Sequence, residues 1–304
     1  PLDVAISPSG REVAMVFAGD WSNDGKQGAI RLFTLPTVPT ATRTEGCPDV
    51  LTPIESDGRE AGVITSVDYL PDGRWVAFQT EPPAILTALA EYELEGASVR
   101  DFGRDLFHWS TPSSVACATC HPEGAEDGHV WLFPGDGPRR TQTLLGGLSG
   151  TEPLHWRGDL SDMSLLVTSV LQGRMSGPEL SPVQLDTLTR WIDNLPEPAP
   201  IPPVDAVAAA RGRVLFERPD VGCADCHVGP RLGHTGESTD VGTDGQWQVP
   251  GLLGIAQRLP LMHNGCATSL HARFEPSCGG TAHGDTAHLA PAELDDLVSY
   301  LESL

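Results

Sequence analysis

Apolar and polar positions alternate near the start of the chain, in Asp3-Val4-Ala5-Ile6, Glu12-Val13-Ala14-Met15-Val16-Phe17 and Trp75-Val76-Ala77-Phe78-Gln79. A period of two sends successive side chains to opposite faces, so these segments are expected to be half-buried strands. Ser7-Pro8-Ser9-Gly10-Arg11 and Leu70-Pro71-Asp72-Gly73-Arg74 read as matching turns between them. Later the period lengthens. Leu185, Leu188, Trp191, Ile192 and Leu195 recur at helical spacing, as do Leu294, Leu297, Tyr300 and Leu301. Ser181 reads as an N-cap with Pro182 in the first helical position, and Asn194-Leu195-Pro196 supplies the stop. Gly103-Arg104-Asp105-Leu106-Phe107 and Gly212-Arg213-Val214-Leu215-Phe216 form a second repeated pair, each reading as the end of a helix.

These patterns divide the chain into residues 1–92, all β, followed by 93–200 and 201–304, each helix, loop and helix. The Pro-rich stretch Pro196-Glu197-Pro198-Ala199-Pro200-Ile201-Pro202-Pro203 would act as a stiff linker between the last two. The β turns resemble those of a β-propeller blade. A blade takes roughly 40–45 residues, so the segment has room for about two. Two blades alone leave sheet edges unpaired, which favours a truncated partial propeller over a small β-sandwich.

Charge narrows the partners. The chain of 304 residues carries 41 acidic and 19 basic side chains, for a net charge of −22. A nucleic-acid backbone would be repelled, whereas a protein with a basic patch or a neutral small molecule would not. No run of about eighteen apolar residues is present, so no transmembrane segment is expected. The chain opens at Pro1 without an initiator Met or a signal peptide, which reads as a mature or truncated product.

Seven cysteines must be sorted by spacing. Four fall in Cys117-Ala118-Thr119-Cys120-His121 and Cys223-Ala224-Asp225-Cys226-His227. On a helical turn, residues i and i+3 share a face, so both thiols can add to the two vinyl groups of a haem while the adjacent histidine reaches the iron. One C-x-x-C could be a thiol–disulfide pair or half a zinc site. Two copies, each ending in His, point instead to two covalently attached haem c groups, with His121 and His227 as iron ligands. Of the remaining cysteines, Cys266 and Cys278 flank a loop that a disulfide could close in an oxidising compartment, a pairing left open here. Cys47 has no evident partner.

From about Ser98 to Leu304 the motifs resemble, in order, the bacterial di-haem cytochrome c peroxidase and MauG family. The matching segments are the first C-x-x-C-H, Gly128-His129-Val130-Trp131, His155-Trp156-Arg157-Gly158-Asp159, the second C-x-x-C-H, Val249-Pro250-Gly251-Leu252 and Met262-His263-Asn264-Gly265. The resemblance implies that His129 caps the first iron at rest, that Trp156 lies between the haems as an electron relay, and that His263 supports transfer. It also implies a distal glutamine and glutamate, but Leu166 and Arg174 fall there. Arg174 could polarise a bound peroxide, yet the proton shuttle is missing unless Glu179 or Asp162 reaches in. Arg140 and Arg258 fall near the family's calcium site and argue against calcium. No methionine stands where the resemblance places the sixth ligand of the second iron. His283 is the first choice, and Met262 is the alternative.

The sequence therefore predicts a multidomain chain with two mainly α, class-I-like cytochrome c domains in tandem after an all-β, partial propeller-like segment. It would work in the periplasm or at the cell surface, exchanging electrons with a redox protein. Enzyme activity is open. One reading is peroxide reduction at the first haem after His129 departs, and the alternative is a non-enzymatic electron carrier or a haem subunit of a larger assembly.

Overall fold

The computed structural model of the protein describes residues 2–19, 29–35, 53–56, 63–97, 100–233, 236 and 238–304. Cys47 lies outside them. The chain divides into two compact units, one comprising Pro1–Ala116 with Met175–Pro178 and the other Cys117–Arg174 with Glu179–Leu304.

In the first unit, the alternating segments form strands as expected. Strands β1 (Asp3–Ile6), β2 (Glu12–Phe17), β3 (Ala29–Thr34) and β4 (Pro53–Ser56) make one antiparallel sheet in chain order. A second four-stranded antiparallel sheet follows from β5 (Val63–Tyr69), β6 (Trp75–Glu81), β7 (Pro83–Thr87) and β8 (Glu91–Glu93). Both sheets feed one core that includes Ala14, Val16, Ile64, Val67, Trp75, Ala77 and Leu86. Burying a side chain the size of Val16 or Ile64 contributes about 1.5–3 kcal/mol, which makes this shared face the main source of the unit's stability. The two predicted turns close in the same way, with Gly10 N–H donating to Ser7 O and Gly73 N–H to Leu70 O. Gly10 (φ +66°) and Gly73 (φ +87°) sit in the left-handed region that favours glycine.

The predicted fold class needs correction. The chain is mixed, only 29% helical, with several small sheets and no closed barrel or propeller among the described residues. Eight strands suffice for two sheets that cover each other, and nothing in that arrangement is a closed ring of blades. Nor does the remainder consist of two mainly α cytochrome domains. With 33 Gly and 27 Pro in the chain, much of the second unit is turns, short 3₁₀ segments and two-stranded ribbons rather than long helices.

The first unit also holds α1 (Phe102–His108), capped by Asp101. The second contains α2 (Cys117–Cys120), α3 (Met163–Leu166), α4 (Pro182–Asp193), α5 (Ala206–Phe216) and α6 (Pro291–Glu302). Its ribbons are β9 (Val130–Phe133) with β10 (Gly137–Arg140), and β11 (Ser238–Asp240) with β12 (Gln246–Gln248). Helix α4 begins as read, with Ser181 and Gln184 forming a reciprocal capping box and Pro182 in the first turn. Helices α5 and α6 pack through Leu215, Phe216 and Leu297. Their approach is close enough that a Cβ on Gly212 would lie 1.9 Å from the Asp296 carbonyl oxygen, which explains the glycine. Arg211 clamps the same crossing, donating from Nε and Nη2 to the two Asp296 oxygens at 2.6 Å each.

Candidate cofactor site

Both C-x-x-C-H segments lie in the second unit and take matching local geometry. His121 N–H donates to Cys117 O at 2.9 Å, and His227 N–H to Cys223 O at 3.0 Å, so in each case the histidine closes a turn begun by the first cysteine. The four thiols are not paired in disulfides. Burial pushes the Cys117 thiol up to about 12 and Cys120 to about 11, and it raises Cys223 as well. Thiol–disulfide chemistry calls for the opposite, a lowered pKa. Cys117 nonetheless keeps partial solvent access.

Burial brings both His121 and His227 down to about 4, so each imidazole is neutral at pH 7 and keeps a lone pair for a metal. The Nδ1 atom of His227 lies 2.9 Å from Leu232 O, which fixes the tautomer that leaves Nε2 free. His121 Nδ1 is buried without a hydrogen-bond partner.

The second histidine faces another. The rings of His227 and His283 are 6.1 Å apart with planes inclined by 27°. Two imidazole–metal bonds of about 2.0 Å, with about 1.2 Å from each nitrogen to its ring centre, would span about 6.4 Å. The observed spacing therefore fits one metal ion between the rings. His283 Nδ1 is buried and unpartnered, and burial with the Arg273 charge holds its pKa well below the usual range. Its loop is fastened twice. Arg273 donates to the His283 and Cys278 carbonyls, and the Cys266–Cys278 disulfide left open by the sequence is formed. Gly284 brings this loop against the first cysteine of the second C-x-x-C-H segment, since a Cβ there would lie 3.5 Å from Cys223 Sγ.

Among the described residues, no group of three or more His, Cys, Asp or Glu is placed to hold a metal ion. A site with one or two protein ligands suits a metal that brings its remaining ligands with it, as iron does in a haem. The donor set therefore fits that group.

The other predicted residues fall as follows. His129 is exposed, its ring edge-on to Trp131 at 4.5 Å, while Asp127 accepts from His129 N–H and Trp131 Nε1. Met262 packs into an apolar cluster with Ile255, Leu261 and Leu270. Trp156 donates from Nε1 to Arg140 O at 2.6 Å, and its ring lies 6.4 Å from that of His263. Arg174 is held by Asp136 at 2.9 Å. Asp162 caps α3 by accepting from Leu165 N–H.

Two features were not read from the sequence. Glu126 is buried between Arg140 and Arg258, with Arg258 Nε 2.8 Å from its Oε1 and Arg140 on its Oε2. This cluster joins the loop after His121 to Gly251, whose carbonyl accepts from Arg258 at 2.7 Å. The other is Trp247, which stacks on His263 at 3.6 Å with planes 13° apart, under the guanidiniums of Arg139 and Arg157. A Trp-Gln-Val-Pro run is too common a pattern to announce such a stack; only the pairing of β11 with β12 brings it about.

No protein-family model matches the chain. At the level of fold it resembles a MauG-like protein associated with microbial copper homeostasis, with 18% identity over 69% of this chain and 89% of the other, at a TM-score of 0.50. More particularly, it is 28% identical over 261 aligned residues to hydrazine synthase subunit gamma of Kuenenia stuttgartiensis, covering 64% of this chain and 74% of that protein. A structure of Kuenenia stuttgartiensis hydrazine synthase pressurised with xenon matches at a TM-score of 0.58, with 23% identity over 66% of this chain and 86% of that one. The MauG-like match agrees with the family resemblance in fold, while the sequence relative is a subunit of a different enzyme.

Proposed function

We propose that this chain is a di-haem c-type cytochrome and serves as a redox subunit of a larger assembly. The observation that carries the reading is the duplicated C-x-x-C-H turn, closed by the same backbone hydrogen bond and presenting a buried neutral imidazole both times. Cys117 and Cys120 would anchor one haem and Cys223 and Cys226 the other, with His121 and His227 on the irons. The haem supplies one-electron chemistry. The protein would supply the thiols that anchor it and the imidazoles that bind its iron, with Trp156 and His263, whose rings lie 6.4 Å apart, as the proposed aromatic relay. A relative that is itself a named subunit supports assembly with other chains. The disulfide and the c-type attachment motifs support an oxidising compartment outside the cytoplasm. Among the described residues, no helix is long and apolar enough to cross a membrane.

A pyridine haemochrome assay with intact mass tests this directly. Two covalent haems per chain are expected, falling to one in Cys117→Ala/Cys120→Ala and to one in Cys223→Ala/Cys226→Ala. A chain purified with free thiols and no haem overturns the reading.

A second reading rests on an asymmetry. His227 has His283 opposite at a metal-bridging distance, whereas His129, the residue expected to cap the first iron, is exposed against Trp131. The first site would then accept a small ligand such as peroxide. Asp162 is spent on a helix cap and Arg174 on Asp136, so neither is free to move a proton there. An EPR titration through half reduction, followed by hydrogen peroxide, separates the readings. A high-spin haem that consumes peroxide supports an enzyme, and two low-spin haems that ignore it support an electron-transfer subunit.

A further inference from the structure

Trp247 sits where a ligand is wanted. Its side chain is 4% exposed, and its Nε1–H has no hydrogen-bond partner among the described residues. Trp156, by contrast, gives its Nε1–H to a carbonyl. An unpaired buried donor costs about 1–3 kcal/mol, so it persists where something accepts from it.

The charges around it have the same character. The Arg139 guanidinium lies 4.8 Å from the Trp247 ring centre and that of Arg157 lies 5.4 Å from it. Arg139 forms no ion pair among the described residues; its Nη1 donates to the neighbouring Pro138 carbonyl. The nearby Asp136 is engaged by Arg174 at 2.9 Å and stands 3.9 Å from Arg157, so among the described residues it is the carboxylate that pairs with this cluster, while Asp244 acts on His263 without an ion pair to the arginines. In a chain with a net charge of −22, carboxylates are plentiful, and a positive cluster left short of them is the exception. Burial, together with the Arg157 charge, holds the Arg139 pKa down, and His263 on the face of Trp247 is lowered to about 4 first by burial and then by the same two arginines, against an opposing pull from Asp244. The two guanidiniums and the indole N–H are more favourable with an anion among them.

We propose that Arg139, Arg157 and the Trp247 indole N–H form a cradle for a small carboxylate or oxyanion. Two sources share this chemistry. One is a carboxylate arm of a haem attached to the C-x-x-C-H turns, which rests on the function proposed above. The other is a free anion arriving from solvent past Arg157, which is exposed.

The test uses the haem-loaded chain and three variants, Arg139→Gln, Arg157→Gln and Trp247→Phe, the last keeping the ring while removing the donor. Formate is titrated calorimetrically, and the propionate bending bands are recorded by resonance Raman. Saturable formate binding that weakens at least tenfold in each variant, with unmoved propionate bands, assigns the cradle to a free anion. Propionate bands that shift in all three variants, with no formate binding, assign it to the haem. No formate binding and unshifted bands overturn the proposal. A chain without covalent haem would sink the function proposed above, yet formate binding would still be measurable on it.

Discussion

His263 is packed between two indoles and near two guanidiniums, and burial followed by the Arg139 and Arg157 charges brings it to about 4. In the unfolded chain it titrates near 6.5. Its neutral form is therefore favoured by folding. That contribution is fully present above pH 6.5 and is lost as pH falls from 6.5 towards 4, because only the unfolded state takes up the proton. A His263→Gln variant is expected to lose less melting temperature than the parent between pH 7 and pH 5, which thermal unfolding at the two pH values will check. His283 yields a spectroscopic prediction: His283→Ala converts one low-spin haem to high-spin in the EPR spectrum, while Met262→Leu leaves both unchanged. The proposed attachment residues were legible because covalent haem chemistry demands a fixed spacing. His283 was reachable only as a choice among nearby residues, since its pairing with His227 spans 56 positions and depends on a loop that the pattern does not describe.

At the scale of elements, the decisive joints are buried and polar or unusually close. Glu126→Gln would strand the buried guanidiniums of Arg140 and Arg258 beside a neutral amide. Breaking such a pair from one side costs about 3–5 kcal/mol, so the midpoint of urea unfolding should drop sharply, with Glu126→Asp recovering part of it. Gly212→Ala should also destabilise, by more than the small gain in helix propensity, because its Cβ would collide with the Asp296 carbonyl where α5 crosses α6. Circular dichroism melts of the variant would register the loss. Strands β1, β2 and β6, the N-cap and first-turn proline of α4, and the helical spacing of α6 announced themselves through local periodicity and caps, whereas the packing of α5 on α6 did not. Ribbons such as β11 with β12 did not. Three-residue strands carry too little periodicity to read, and their partners are fixed by the loops around them.

For the molecule as a whole, sequence patterns overstated helix and pointed to a partial propeller of about two blades, because local periods say nothing about how sheets pack on one another. The two β-sheets simply share a core. The strong negative charge makes a specific prediction about association. Binding to a redox partner bearing a basic patch should weaken steeply with ionic strength, with the association rate falling more than the dissociation rate rises. Stopped-flow mixing at increasing salt measures this, and a salt-independent rate would argue for a partner recognised through apolar contacts.

The Cys266–Cys278 link bears on how the chain is made. On the proposed reading, the six cysteines among the described residues must reach two different fates, one pair joined to each other and four kept reduced until a porphyrin adds to them. Once the chain has closed, Cys117 and Cys120 are poor nucleophiles, with pKa values near 12 and 11. Maturation on the proposed reading therefore has an order: porphyrin attachment comes before the final collapse, and an oxidant that reaches the nascent chain too early would misdirect thiols that the finished molecule needs for its haems.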